Sequence, residues 1–518
     1  MKKLNYIVLL TMIALATFSC AKKDSLATSI PENAMMVMRV DVKSMAQKAE
    51  YSLFENEKIK ASLGMLKAAI DNSNQKKLLD NFLKNPNSFG INLLGDAYFF
   101  VSADGTGGVV FAVNDAKRLY NNISVIDSGF SRDIIQKDGS YSFISNTGSY
   151  AWNKNRFVAV INLGSFVGFG ETATMVDANK FLNLSKAESF AGTEAYKKFS
   201  LGKNDIAAFY SMKYYMDALE QLSLYSQNQN LFVFEALKGV YQNYAYSVVG
   251  SINFEKGKIV SKATMLFDTP EIEKRYKALK SYNSPITGDL NNFIPANPIF
   301  CVAAHLEGKN IIEDINAQKI SVIIDSISKE INFDLYRIIN VFNGDIVVSL
   351  NHIDFTNEDM PVAVSLFAKI DPAALNSLLD SLTAKNADIK RIDNHFVFGE
   401  CVAGFKGDVF YLMTNDADYQ KFIAGGEQNP AMDKLKGQVA FVGGDFKVLK
   451  DDILPALAES MYSYIANEGL SLIDTYESKA PQGSDTFEFV VNFTGKDKNS
   501  LASIFKFIDN AINNIPLY

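Results

Sequence analysis

Histidine, cysteine and tryptophan almost drop out of this chain of 518 residues, which holds three, three and one of them. His305, His352 and His395 stand apart from one another, with no HExxH and no His-x-His pair, so each reads as structural rather than metal-binding. No CxxC pair exists, which excludes thioredoxin-like redox chemistry and cysteine-rich zinc sites. Trp152 alone is thin for a sugar-stacking platform. No basic block interrupts a net charge of −7, so there is no electrostatic footprint for nucleic acid. Neither a GxxxxGK[ST] loop nor a GxSxG elbow is present. Gly168-Phe169-Gly170-Glu171-Thr172-Ala173 meets only the loose dinucleotide form GxGxxA, and without a parallel βαβ unit around it no cofactor is expected.

Long apolar runs are missing too, except at the start. Lys2-Lys3, the uncharged run Ile7–Phe18 and Ser19-Cys20 together have the form of a bacterial lipoprotein signal. The run falls short of the roughly 20 apolar residues of a spanning helix. The expectation is cleavage after residue 19, acylation of Cys20, and a membrane attachment through lipid alone; two or more acyl chains suffice for stable anchoring. Ala21 lacks the aspartate that retains some lipoproteins at inner membranes, so the outer membrane is expected, its facing side open. Cys301 and Cys401 lie in the apolar runs Phe300–Ala304 and Cys401–Phe405 and read as buried free thiols rather than a bridge.

What the chain has in plenty is itself. Ile30-Pro31-Glu32-Asn33-Ala34 and Ile294-Pro295-Ala296-Asn297-Pro298 each open a strand-like stretch followed by a helical one near Lys43 or Lys309. Gly95-Asp96 and Gly344-Asp345 each precede an apolar run. Val109–Val113 leads to Asp115-Ala116 as Val362–Ile370 leads to Asp371-Pro372, with Leu119 and Leu375 four residues on. Ala151–Ile161 matches Ala403–Met413, and Tyr246–Phe254 is matched to Phe487–Phe493. Landmarks in one order at spacings of about 250 residues indicate duplication.

Aspartates ahead of Ala116 and Pro372 are helix caps. Met36, Met38, Val40 and Val42 alternate with Arg39 and Asp41, the pattern of an antiparallel sheet with one wet face. Val109–Val113 and Ile346–Val348 are apolar throughout and predict central strands. Helical periodicity marks Glu57–Ile70, Gln75–Leu83, Ile311–Ile331 and Leu501–Ile515, the last capped by Asn499 or Ser500. The expected class is α+β: two tandem similar lobes, each a mainly antiparallel sheet with helices packed on one face. The expected division is a signal at 1–19, a polar tether at 20–29, a first repeat at 30–284 and a second at 293–518, with the boundary in the turn-rich stretch Pro285–Asn292.

Ile30-Pro31-Glu32-Asn33-Ala34, and Asn87-Ser88-Phe89-Gly90-Ile91-Asn92-Leu93 before Tyr98-Phe99-Phe100, resemble an uncharacterised family of Bacteroidota envelope lipoproteins, catalogued only as a domain of unknown function. The resemblance covers most of the mature chain and rests on structural motifs. It implies a Gram-negative envelope lipoprotein and carries over no catalytic residue.

Three functions fit. The first is a non-enzymatic envelope lipoprotein binding a protein or glycan partner, for which the groove between lobes is the natural place. The second is a hydrolase acting on glycans or peptides through carboxylates in that groove. The third is a structural or assembly component of the outer membrane. Tyr210, Tyr214, Tyr215, Tyr225, Tyr241 and Tyr244 form the candidate recognition surface, because tyrosine pairs a large apolar ring with a polar tip. The loop holding Asp354, Glu358 and Asp359 is a weak candidate for a hard cation, and no metal is assigned to it.

Overall fold

Short polar side chains start the helices. Asp115 accepts from the Arg118 amide ahead of the helix Ala116–Ile126, and Asp371 accepts from the Ala373 and Ala374 amides ahead of Pro372–Thr383. Asn499 caps Ser500–Asn514 through the Leu501 amide. Leu119 and Leu375 are both buried. The periodicity over Ile311–Ile331 belongs to two helices, Gly308–Ala317 and Ser321–Glu330, because the chain stops its first helix at Gln318.

The computed structural model describes residues 26–50, 55–126, 133–146, 148–163, 176–225, 245–280, 284–294, 297–318, 320–330, 333–355, 361–383, 390–392, 395–399, 401–425, 430–457 and 463–514. Its strands up to residue 267 are β1 (Ala34–Asp41), β2 (Ile91–Asn92), β3 (Asp96–Ser102), β4 (Thr106–Val113), β5 (Ile135–Lys137), β6 (Ser140–Ser145), β7 (Gly148–Trp152), β8 (Arg156–Asn162), β9 (Ile206–Ser211), β10 (Tyr246–Glu255) and β11 (Lys258–Phe267). Beyond it come β12 (Phe300–Glu307), β13 (Phe342–Ile353), β14 (Val362–Ile370), β15 (Lys390–Ile392), β16 (His395–Phe398), β17 (Cys401–Lys406), β18 (Val409–Met413), β19 (Ala440–Asp445), β20 (Ile473–Lys479) and β21 (Thr486–Phe493).

All of these join one antiparallel sheet. From one edge the pairings run β5–β6–β7–β8–β4–β3–β1–β9–β10–β11. The line continues through β11–β21 and then β20–β19–β12–β13–β14–β18–β17–β16–β15. The short β2 pairs with the end of β4 beyond β3. Among the described residues β5 and β15 pair on one side only, so the sheet has two open edges. The class is α+β with a large antiparallel sheet, and β4 and β13 are interior strands as their apolar runs predict.

Over β1, β3, β4 and β7–β9 both faces of the sheet are covered, which corrects the expectation of helices on one side. One face buries Phe111, Trp152 and Phe157 against the helices Glu57–Ala68, Ser73–Lys84 and Ala116–Ile126, the last of which contributes Leu119. The other buries Val37, Phe100, Val160 and Phe209 against Leu26, Ala27, Ile30, Phe181, Phe190 and Phe199. Arg39, expected on a wet face, is therefore 2% exposed. Its guanidinium lies 6.0 Å from the Phe199 ring centroid and donates to the Tyr98 hydroxyl. The cover consists of short pieces such as Ala178–Leu182 and Glu194–Phe199, too brief to announce themselves by helical period.

Two of the expected boundaries also move. Leu26, Ala27 and Ser29 were expected in the tether but are buried, so the folded body begins by Leu26. Pro285–Asn292 is no free linker: Ile286 and Leu290 join the core of Val347, Phe367 and Tyr411. Tyr246–Phe254 lies in β10, one strand away from the β11–β21 ladder, whereas Phe487–Phe493 lies in that ladder, so these two stretches do not occupy matching positions.

The two sides of that ladder are also tied across it. Ser500–Asn514 packs on the helices Val42–Ala49 and Ser463–Leu472, and Leu501 shares a core with Ala49 and Phe254. In the other direction Lys277 reaches Asp485 at 2.9 Å, and the Lys280 amide donates to Asp314.

Candidate functional site

Alternation puts two different surfaces on the four strands around the β11–β21 ladder. One surface bears Gly250, Ser261, Ala263 and Phe487 and lies on the side of the C-terminal helix. The opposite surface bears rows of directly paired residues: Val249, Thr264 and Thr486; Ser251, Lys262, Glu488 and Lys479; Asn253, Val260, Val490 and Glu477. Of these only Val260 and Val490 are buried apolar residues.

Charges alternate along this second surface. Lys262 Nζ lies 3.0 Å from Glu488, Glu488 lies 3.4 Å from Lys479, and Lys479 lies 3.9 Å from Glu477. Glu477 continues to Lys434 at 2.8 Å. The Thr264 and Thr486 hydroxyls meet at 2.9 Å. Hydrogen bonding from Lys262 holds the Glu488 carboxyl below its ordinary pKa against the opposing effect of burial, with Lys479 adding to the shift. The side chains of Lys262 and Lys479 are half exposed, at 53% and 50%, so their heads are available to a partner. Each of these residues is unremarkable in sequence; only the pairing of β11 with β21 brings the two halves of the row together.

Three of the six nominated tyrosines converge elsewhere. Tyr210, next to last in β9, stands opposite Met36 and Val248, and its ring centre is 5.8 Å from that of Tyr215 in the first turn of the helix Met212–Tyr225. Burial pushes the Tyr210 hydroxyl up to about 12, with Tyr215 and Tyr246 adding to it. Lys213 Nζ sits 4.6 Å from the Tyr214 ring centre and 3.4 Å from Asp217. Burial raises the Tyr214 and Asp268 pKa values while Lys213 lowers both. Tyr225 is the last residue of that helix, and Tyr241 and Tyr244 lie outside the described residues.

The histidines are placed apart from these surfaces. His305 Nδ1 is 2.8 Å from Asp345, and its Nε2 is 3.3 Å from Glu307. Asp345, 1% exposed, also accepts from the Thr287 amide, the Thr287 hydroxyl and the Gly288 amide. Burial pushes its carboxyl up, but the Thr287 amide, His305, the Thr287 hydroxyl and Gly288 together bring it below the ordinary value. Gly344-Asp345 was legible as a strand opener, and its partnership with His305 was not. His352 approaches Asp452 at 3.5 Å, and the His395 ring lies 6.2 Å from that of Tyr419.

Of the weak cation loop, Asp354 donates its amide to the Pro361 carbonyl, and Glu358 and Asp359 lie outside the described residues, as does the GxGxxA stretch. Cys301 and Cys401 are not joined in a disulfide: burial pushes the Cys301 thiol up to about 12, and Cys401 is only half-buried. Trp152 is wholly buried and stacks on Tyr141 at 5.2 Å. Among the described residues no helix is long and apolar enough to cross a membrane.

A family model described as Domain of unknown function (DUF4836) matches residues 27–421. No curated protein matches the chain. A solved structure of TP0453 in its crystal form I is similar over 52% of this chain and 89% of that one, at 8% identity and a TM-score of 0.23, a likeness that carries no argument about fold or function.

Proposed function

We propose, for a chain that belongs to the family Domain of unknown function (DUF4836), an envelope lipoprotein of Bacteroidota type that binds a partner and catalyses no reaction. Cys20, acylated after loss of residues 1–19, anchors it to the outer membrane. Its body consists of two similar lobes descended from a duplication. The strand order supports the duplication: β15–β16–β17–β18–β14–β13–β12–β19–β20–β21, read inward from one edge, repeats β5–β6–β7–β8–β4–β3–β1–β9–β10–β11, read inward from the other. The lobes then meet at β11–β21, and their division falls before Ile286 rather than after Asn292.

The observation that carries the binding role is the charged row Lys262–Glu488–Lys479–Glu477 on that join, its lysines half exposed and its glutamates more sheltered. An alternating row of this kind favours a protein surface with the complementary alternation. The tyrosines at Tyr210, Tyr214 and Tyr215 form a second, smaller recognition surface. For the hydrolase alternative, His305 is the most suggestive group, and both of its ring nitrogens are already engaged by Asp345 and Glu307, while Asp345 secures Thr287–Gly288.

Cross-linking through a photoreactive residue at Ser251, with a control at Lys60, tests the binding role in envelope preparations. The expected result is an adduct specific to Ser251 that Lys262→Gln/Lys479→Gln abolishes. Equal capture at Lys60, or capture indifferent to the double substitution, contradicts it.

A further inference from the structure

The anchor and the body are very close in sequence. Only residues 21–25 separate Cys20 from Leu26, which is 3% exposed. From there the chain is held firmly: Ala27 and Ile30 are wholly buried, Thr28 is bonded by Arg156, and Pro31 bridges Ser189. Six Cα–Cα steps at full extension reach at most about 20 Å.

We infer that the patch carrying Leu26–Ile30, over β1, β3 and β8, lies against the lipid headgroups, that the helices Glu57–Ala68 and Ser73–Lys84 behind it point away from the bilayer, and that the twist of the sheet turns the charged row, on the same face but beyond β10, clear of the contact. This rests on the acylation of Cys20 proposed above. A lipid glycerol at the headgroup level therefore keeps Leu26 and its neighbours within that reach of the bilayer surface. The segment Ala27–Pro31 meets the helix Ala178–Leu182, Arg156 and Ser189, and Lys154, Lys180 and Lys186, close to these in sequence, are exposed cations. Asp177 and Glu188 lie among them, so the tether and not net charge sets the orientation.

Two single cysteines read the orientation in a Cys401→Ala background: Lys186→Cys on the near face and Met65→Cys on the far one, where Met65 is 63% exposed. Cys301 is wholly buried and stays silent. Acylation is checked first by alkyne–fatty-acid labelling, with Cys20→Ala as the blank. Labelling by a polyethylene-glycol maleimide is then timed in native membranes and again in detergent. The expected result is several-fold slower labelling of Lys186→Cys in membranes than in detergent, with Met65→Cys unchanged. A long Gly/Ser insertion after Lys23 should abolish the difference. Acylated protein that labels equally at both sites, or that protects Met65→Cys, overturns the orientation alone. Absence of acylation overturns the anchor, and the orientation with it.

Discussion

Lys262 of β11 and Glu488 of β21 stand directly opposite each other, Nζ to Oε2 at 3.0 Å, on the ladder that joins the two halves of the sheet. Their side chains are 53% and 26% exposed, so solvent screens most of the attraction. A double-mutant cycle with Lys262→Ala and Glu488→Ala should give a coupling of about 0.5 kcal/mol, by urea unfolding. A coupling of several kcal/mol would show that the pair is far drier than its exposure indicates.

Asp345 should behave very differently. Its folded pKa lies below its ordinary value, so its stabilisation is present above the unfolded carboxylate pKa of about 3.9 and disappears as pH falls through the folded value. Asp345→Asn should cost about 3 kcal/mol at pH 7, because it turns the acceptor of Thr287 and Gly288 into a mismatched amide in a buried place. Urea midpoints at pH 7 and pH 3 check this: the gap between wild type and variant should narrow at low pH. A gap that widens on acidification contradicts the sign.

Leu26→Ala should destabilise the body by about 3 kcal/mol through the cavity it leaves beside Ala27 and Ile30. Thermal unfolding measures it. A change within error would return Leu26 to the tether that the polar sequence around it suggested.

That last contrast shows what the sequence could and could not convey. The class, the interior strands β4 and β13, and the caps at Asp115, Asp371 and Asn499 were legible, because strand alternation and capping are local properties. Arg39 was misread because an arginine in an alternating strand looks wet until the short helix Glu194–Phe199 is known to cover it. The charged row was invisible because Lys262 and Glu488 are far apart in sequence and neighbours only through β11–β21. Three tyrosines gather at β9 because they flank a single strand–helix turn, which short-range clustering does reveal.

Two glycines should respond to alanine with opposite signs. Gly90 has φ +104°, and a Cβ there would sit 2.7 Å from the Leu119 amide nitrogen and 2.8 Å from the Asp115 carbonyl, so Gly90→Ala should cost about 2 kcal/mol. Gly64 lies inside the helix Glu57–Ala68 with nothing within 4 Å of a new Cβ, so Gly64→Ala should stabilise by about 0.5–1 kcal/mol. Paired denaturation curves decide both.

The joining of the two halves of the sheet through β11 and β21 underlies both the charged row and the twin strand order. Native-state hydrogen exchange on Lys258–Thr264 and Thr486–Asn492 tests it most directly. Amides in Lys258–Thr264 that point away from β10 should be protected to the same degree as those that point toward it. If only the β10-facing amides are protected, while their outward neighbours exchange as freely as a solvated edge, the two halves do not share a sheet.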